Sequence, residues 1–120
     1  MQTNKLNGLL GLCKKSGNLL TGSDPVLSAI RSQKRAPALV LLAADASANT
    51  QKRIGNCCAY YRIKLLTLPL DADTFGHLTG KRGAIAVAGV LDRGFAEAIG
   101  RLLEENDPES IDREHREDKE

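Results

Sequence analysis

Apolar residues recur at helical spacing, then run continuously, then return to helical spacing, and this alternation continues for most of the chain. In "TNKLNGLLGLCKKSG", Leu6, Leu9, Leu10 and Cys13 stand at i, i+3, i+4 and i+7, which predicts a helix capped by Thr3 or Asn4 and closed at Gly17. "NLLT" (18–21) is a short strand. A second helix is expected from Pro25, with Val26, Leu27 and Ile30 on its apolar face and Asp24 as its cap, ending between Arg31 and Lys34. Proline suits the first position of a helix, where its missing N–H has no intrahelical partner to lose. "ALVLLAA" (38–44) is apolar throughout, as a strand covered on both faces must be.

Ser47 then opens a helix whose apolar face is Ile54, Cys57, Cys58 and Tyr61. "IKLLTL" (63–68) is a third strand, closed by Pro69. "DADTFGHLTG" (71–80) is a short helix with acids in its first turn, where they oppose the positive end of the dipole. "AIAVAGVL" (84–91) is a fourth strand. "GFAEAIGRLLEEN" (94–106) is a last helix burying Phe95, Ala98, Ile99, Leu102 and Leu103. Helices and strands in strict alternation imply an α/β sandwich, with a sheet between two helix layers. Residues 1–103 form one domain, long enough at this size to bury a core without metal or disulfide support. Residues 104–120 carry no apolar periodicity and are expected to form an acidic, disordered tail.

Charge sharpens this picture. Residues 104–120 hold nine acids and three bases, whereas residues 1–103 hold fourteen bases and six acids, a body of +8 behind an overall charge of only +2. Such a body suits a polyanion. With two Tyr, two Phe and no Trp, the chain lacks the aromatic platforms on which single-stranded nucleic acid is commonly stacked. Three cysteines without paired spacing suit a reducing compartment. No apolar stretch approaches the ~20 residues of a membrane span, and no signal-peptide pattern opens the chain, so a cytoplasmic protein with no membrane partner is expected.

The chemistry of a nucleophile, base and oxyanion donor is not assembled by any motif here. Gly76, Gly80, Lys81 and Arg82 miss the spacing and the final hydroxyl of a phosphate-binding P-loop, and no G-x-G-x-x-G occurs. His77, His115, Cys57 and Cys58 do not make a metal-ligand set. The expectation is a non-enzymatic protein with no catalytic residues, no cofactor and no metal.

Glycine marks two junctions, "TGSDP" (21–25) and "LTGKRGAI" (78–85). In an alternating sandwich, the loops that leave one end of the sheet gather on one edge. There the start of the second helix would offer N–H groups and a partial positive charge, and the glycines would let a phosphate backbone approach. Lys14, Lys15, Lys81 and Arg82 would supply the counterion-releasing charge.

With "GLCKKSGNLLTG", "LVLLAADASANTQKRI" and "LTGKRGAIAVAG" before a "GFAEAI" helix, the chain from about Asn4 to Leu103 resembles the bacterial members of the ribosomal protein L7Ae and L30e superfamily. That resemblance implies a three-layer α/β/α sandwich with a mixed four-stranded sheet. It implies structured RNA, kink-turn or ribosomal RNA among it, as partner. Within it Gly22 matches the family's glycine and Ser23 its small or hydroxyl position; with the basic and glycine-junction residues, the candidate RNA site comprises Lys14, Lys15, Asn18, Gly22, Ser23, Asp24, Gly80, Lys81, Arg82, Gly83 and Ala84. Kink-turn binders of this superfamily carry Asn-Glu after the glycine turn and Lys one helical turn later, where this chain has Asp24, Pro25 and Ser28. An ionised Asp accepts hydrogen bonds but donates none, so the resemblance also implies weakened kink-turn reading. The alternatives are a protein-interaction module that has lost kink-turn recognition, or an accessory RNA-binding subunit of a modifying enzyme.

Overall fold

The alternation read along the chain is its architecture. A computed structural model describes residues 3–80 and 83–105. Among them the order is α1 (Thr3–Lys15), β1 (Leu19–Thr21), α2 (Ser23–Ser32), β2 (Leu39–Leu42), α3 (Ala48–Tyr61), β3 (Lys64–Thr67), α4 (Ala72–Leu78), β4 (Val87–Val90) and α5 (Arg93–Glu105). The strands form one sheet in the order β1-β4-β2-β3. β4 is antiparallel to both neighbours, pairing Val90 with Leu19 of β1 and with Leu39 of β2. β2 and β3 are parallel, with Leu39 opposite Lys64. The sheet is therefore mixed, and three layers result.

β2 and β4 are central and every one of their residues is buried, which is why their sequences are apolar without alternation. Side chains of β2 still point alternately to two faces. Leu39 and Leu41 join Leu6, Leu10, Phe75 and Ile99 beneath α1, α4 and α5. Val40 and Leu42 join Val26, Ile30, Ile54 and Cys58 beneath α2 and α3. At ~1.5–3 kcal/mol for each fully buried aliphatic side chain, the two central strands hold both helix layers in place. β3 is an edge with Lys64 and Thr67 exposed, and a charged edge resists pairing with another chain. Lys64 Nζ also reaches Glu104 Oε2 on α5 at 2.8 Å.

Several local expectations shift. Helix α2 begins at Ser23, not Pro25, because Gly22 is its N-cap and Asp24 lies within its first turn without making a capping bond. Pro25 is thus the third helical residue, still within the four whose N–H groups lack an intrahelical acceptor. Ser47 does cap α3, accepting from the Thr50 N–H at 3.1 Å. Ile54 and Cys58 are buried there, while Cys57 and Tyr61 are half-buried. The fourth strand is shorter than its apolar run, since the Ile85 N–H turns to the Ala72 carbonyl of α4. Phe95, Ala98 and Leu103 of α5 are half-buried beside the buried Ile99 and Leu102. α5 runs from Arg93 to Glu105, within a residue of the helix expected over 94–106, and so holds the first two acids of the acidic segment. Its remainder, residues 106–120, lies outside the described residues.

Candidate functional site

Gly22 has φ 104 and ψ 150, a backbone region essentially reserved for glycine. This conformation ends β1 and turns the chain directly into α2. The Gly22 N–H donates to the Val87 carbonyl at 2.8 Å, and the Gly22 carbonyl accepts from the Val26 N–H at 3.2 Å. Helix geometry leaves the Ser23 and Asp24 N–H groups without intrahelical acceptors, and Pro25 has no N–H to add. No side chain caps this helix.

The edge that Gly22 occupies collects three helix starts. α3 begins after the end of β2 and is capped by Ser47; α4 begins after β3 and is capped by Asp71, whose Oδ1 accepts from the Thr74 N–H at 2.7 Å. That bond holds the Asp71 carboxyl below its ordinary value of 3.8. The loops are laced together: the Ala44 N–H donates to the Leu70 carbonyl at 2.7 Å, and the Ala72 N–H to Asp45 Oδ1 at 2.8 Å. Of these three starts, α2 is the one with no side-chain cap. Its partial positive charge faces outward.

The second glycine segment arrives beside the first. Thr79 is buried, its hydroxyl donating to the Phe75 and Gly76 carbonyls at 3.1 Å each. Gly80 follows with φ 79. Gly83 and Ala84 are exposed and Ile85 is buried. The Gly83 carbonyl packs so tightly on Gly76 of α4 that a Cβ there would lie 1.9 Å from the oxygen. Val87 then receives the Gly22 N–H, so Gly22, Ser23, Asp24, Gly83 and Ala84 approach one edge, whereas Gly80 follows the far end of α4, its N–H donating to the His77 carbonyl at 3.1 Å. Lys81 and Arg82 lie outside the described residues.

Lys14, Lys15 and Asn18 do not join them. The Asn18 carbonyl accepts from the Leu91 N–H at 2.8 Å, just past the end of β4 opposite Val87. α1 thus delivers its basic C-terminus to the opposite edge of the sheet. Asn18 Nδ2 donates to Ser16 Oγ at 2.9 Å, and the Cys13 thiol to the Asn18 carbonyl at 3.3 Å. These bonds close the α1–β1 turn. Asn18 precedes β1 and Gly22 follows it, so the extended strand itself leaves the two at opposite ends of the sheet.

What adjoins the Gly22 edge is α3. Arg53 Nη2 stands 3.9 Å from Asp24 Oδ1, with the Asp24 side chain 94% exposed. Neither Arg53 nor its α2 neighbour Arg31 stands out by motif in the sequence; the usable signal is that Asp45 is the one acid between Pro25 and Leu70. Burial raises the Cys13 and Cys58 thiols to about 11, so both stay protonated near neutrality. Among the described residues no group of three or more His, Cys, Asp or Glu could hold a metal ion. None of the described helices is long and apolar enough to cross a membrane.

Comparison with known proteins gives a consistent set of relatives. The model of the ribosomal protein L7Ae/L30e/S12e/Gadd45 family matches residues 4–99. The RNA-binding protein YlxQ of Bacillus subtilis (strain 168) is 36% identical over 96 residues, covering 80% of this chain and 92% of its own. The YlxQ protein of Enterococcus faecium is 33% identical over 100 residues, covering 83% and 92%. Among solved structures, a Bacillus halodurans protein of unknown function superposes with TM-score 0.75 at 31% identity, over 82% of this chain and 96% of that one. A Giardia lamblia 15.5 kD RNA-binding protein shares the fold, with TM-score 0.63 at 18% identity over 87% and 82%.

Proposed function

We propose a function on one premise: the chain belongs to the ribosomal protein L7Ae/L30e/S12e/Gadd45 family. It is a non-enzymatic protein that binds structured RNA through the edge built by the Gly22 turn and the Gly83–Ala84 loop. The 2.8 Å bond from the Gly22 N–H to the Val87 carbonyl carries this reading, because it joins the two glycine segments into one surface. There the Ser23 and Asp24 N–H groups and the uncapped dipole of α2 suit a phosphate oxygen. Small residues at Gly22, Gly83 and Ala84 leave room for a folded backbone. The names of the two YlxQ relatives, both RNA-binding proteins, support the same partner.

The family setting further suggests a cytoplasmic protein acting on ribosomal or maturing RNA. Kink-turn selectivity is weakened in this chain. Asp24 places a fully exposed carboxylate beside the donors, where it repels phosphate, and Pro25 leaves two free N–H groups where another residue would leave three. The purified chain should therefore bind a kink-turn RNA and a matched straight duplex with similar affinity, each falling steeply with salt. Strong preference for the kink would overturn the weakened selectivity. Absence of binding to both RNAs would sink the RNA reading and favour a protein-interaction module.

A further inference from the structure

Lys14, Lys15 and Asn18 lie at the edge opposite Gly22, and the fold assembles more than these there. β1, β2 and β3 all run against β4, so that edge receives the starts of three strands and the end of the fourth. Each strand brings bases to it: Lys14 and Lys15 before β1, Lys34 and Arg35 before β2, Arg62 before β3 and Arg93 after β4. Lys14 is half-buried and the rest are exposed. With neighbouring strands ~4.8 Å apart, the four starts and ends form a band about 14 Å wide. The segments that hold these bases contain one acid, Asp92, and its Oδ2 accepts from the Phe95 N–H at 3.0 Å. Farther along α5, Glu104 is paired with Lys64, and Glu97 shares a groove with Arg101.

Helix stability explains only part of this band. A base after a helix C-terminus offsets the negative end of the dipole, which accounts for Lys14, Lys15 and Lys34. Arg93 instead opens α5, at the positive end of a dipole, where a cation is unfavourable. Arg35 and Arg62 hold φ 52 and φ 60, the left-handed region that glycine or asparagine occupies with less strain. Among the described residues, none of these three arginines makes an ion pair.

α3 ends at the same edge with Tyr60 and Tyr61, the two tyrosines of the chain. Their ring centres are 4.9 Å apart in an edge-to-face contact, yet Tyr60 is 80% exposed. A ring this open, one residue from Arg62, leaves a face for stacking. An acidic peptide would use the cations alone. A nucleotide uses both, its base on the ring and its phosphate on the guanidinium. Stacking of this kind needs an unpaired base.

We propose that this edge is a second RNA contact, taking a short unpaired strand with a base on Tyr60 and phosphates along Arg62, Arg35, Arg93 and the Lys14–Lys15 pair. One molecule then holds two RNA elements at opposite ends of its sheet, folded RNA at Gly22 and a single strand here. The class of partner rests on the RNA reading above, but the residues are separate from the Gly22 edge.

The test titrates the full chain with a hairpin RNA and with a single strand of about ten nucleotides, separately and together. With no Trp in the chain, its fluorescence comes from Tyr60 and Tyr61; the strand should quench it and the hairpin should not. Native mass spectrometry should find one protein carrying one hairpin and one strand. Tyr60→Ala should weaken the labelled strand at least about 5-fold, the loss of one stacked base. Arg62→Gly suits φ 60, so it should fold as well as wild type. Its lost phosphate contact should lower the salt slope by ~0.7, shrinking the wild-type advantage about 2.6-fold over a fourfold rise in salt. Both variants should bind the hairpin as wild type does. Equal strand binding by wild type and both variants, or displacement of the strand by the hairpin, would overturn the second contact and leave the Gly22 edge standing. Strand binding that depends on Tyr60 and Arg62, without hairpin binding, would overturn the Gly22 reading alone. Binding of neither RNA would overturn both.

Discussion

Gly76 offers a test in which two physical effects predict opposite signs. It lies in α4, where replacing glycine with alanine ordinarily stabilises an exposed helix by up to ~1 kcal/mol. A Cβ at this position, however, would lie 1.9 Å from the Gly83 carbonyl oxygen, 3.0 Å from its carbon and 3.3 Å from Ala84 Cα. All three atoms are backbone. To restore even a 3.0 Å separation, the oxygen must retreat by about 1 Å, roughly the scale at which packing against a fixed neighbour costs ~1–3 kcal/mol. The segment cannot move freely, since the Ile85 N–H is held by the Ala72 carbonyl at 2.9 Å and Val87 by Gly22.

The clash should therefore exceed the propensity gain, and Gly76→Ala should destabilise the fold by about 0.5–2 kcal/mol net. For a domain near 100 residues, each kcal/mol shifts the midpoint by ~4–8 °C, well within the reach of thermal or urea denaturation. Gly55 is the control. It lies in α3 with nothing within 4 Å of its Cβ position, so Gly55→Ala should stabilise by ~0.5–1 kcal/mol. Amide shifts in Gly76→Ala should concentrate on residues 83–87, and affinity for structured RNA should fall at temperatures where the variant remains folded. A Gly76→Ala protein as stable as Gly55→Ala, with unshifted loop amides, would refute the close approach and the loop position that depends on it.

Other substitutions separate stability from binding. Gly22→Ala forces a side chain into φ 104, costing ~1–3 kcal/mol, and should lower RNA affinity by disturbing the turn; an unchanged denaturation midpoint would contradict that. Asp24→Asn removes the repelling carboxylate and frees Arg53, so RNA affinity should rise at low salt, with the gain fading as salt increases; equal affinity would show that Asp24 does not face the ligand. Ser47→Ala removes the α3 cap and should cost ~1 kcal/mol without altering the salt slope of RNA binding. The Cys13 and Cys58 thiols, raised to about 11 from 9.0 by burial, hold protons in the folded state that the unfolded chain releases. Their stabilising contribution is whole below pH 9 and is lost as pH rises through about 11; thiolate absorbance should appear later in the folded chain than in the unfolded one. Asp71 works in the other direction: lowered by the Thr74 N–H, it supports α4 above its unfolded value and releases that support as pH falls through the folded one.

Much of the fold was legible because its signals are local. Leu6, Leu10 and Cys13 mark one helix face by spacing alone, and the burial of β2 and β4 is written in their unbroken apolar runs. Ser47 shows itself as a cap three residues before the N–H it satisfies. The glycine segments at Gly22 and Gly83 meet at one edge, since loops at the same end of a sheet must gather. The start of α2 was misread because Asp before Pro is itself a good cap pattern; the φ of Gly22, set by its bond to Val87, moved the boundary to Ser23.

What the sequence by itself determined, then, is the order and type of the elements and the family to which they belong. Tertiary structure decided which residues share a surface. β4 inserts antiparallel between β1 and β2, and that insertion brings the start of β4 to the end of β1 that carries Gly22, opposite the end that carries Asn18. It brings Gly83 against Gly76, and it aligns α2 with α3 so that Arg31 and Arg53 line one groove. Periodicity reports neighbours three or four residues apart, whereas strand order is a choice among pairings of residues tens of positions apart. Those pairings are fixed by the burial of both sheet faces at once, which no single stretch of this chain encodes.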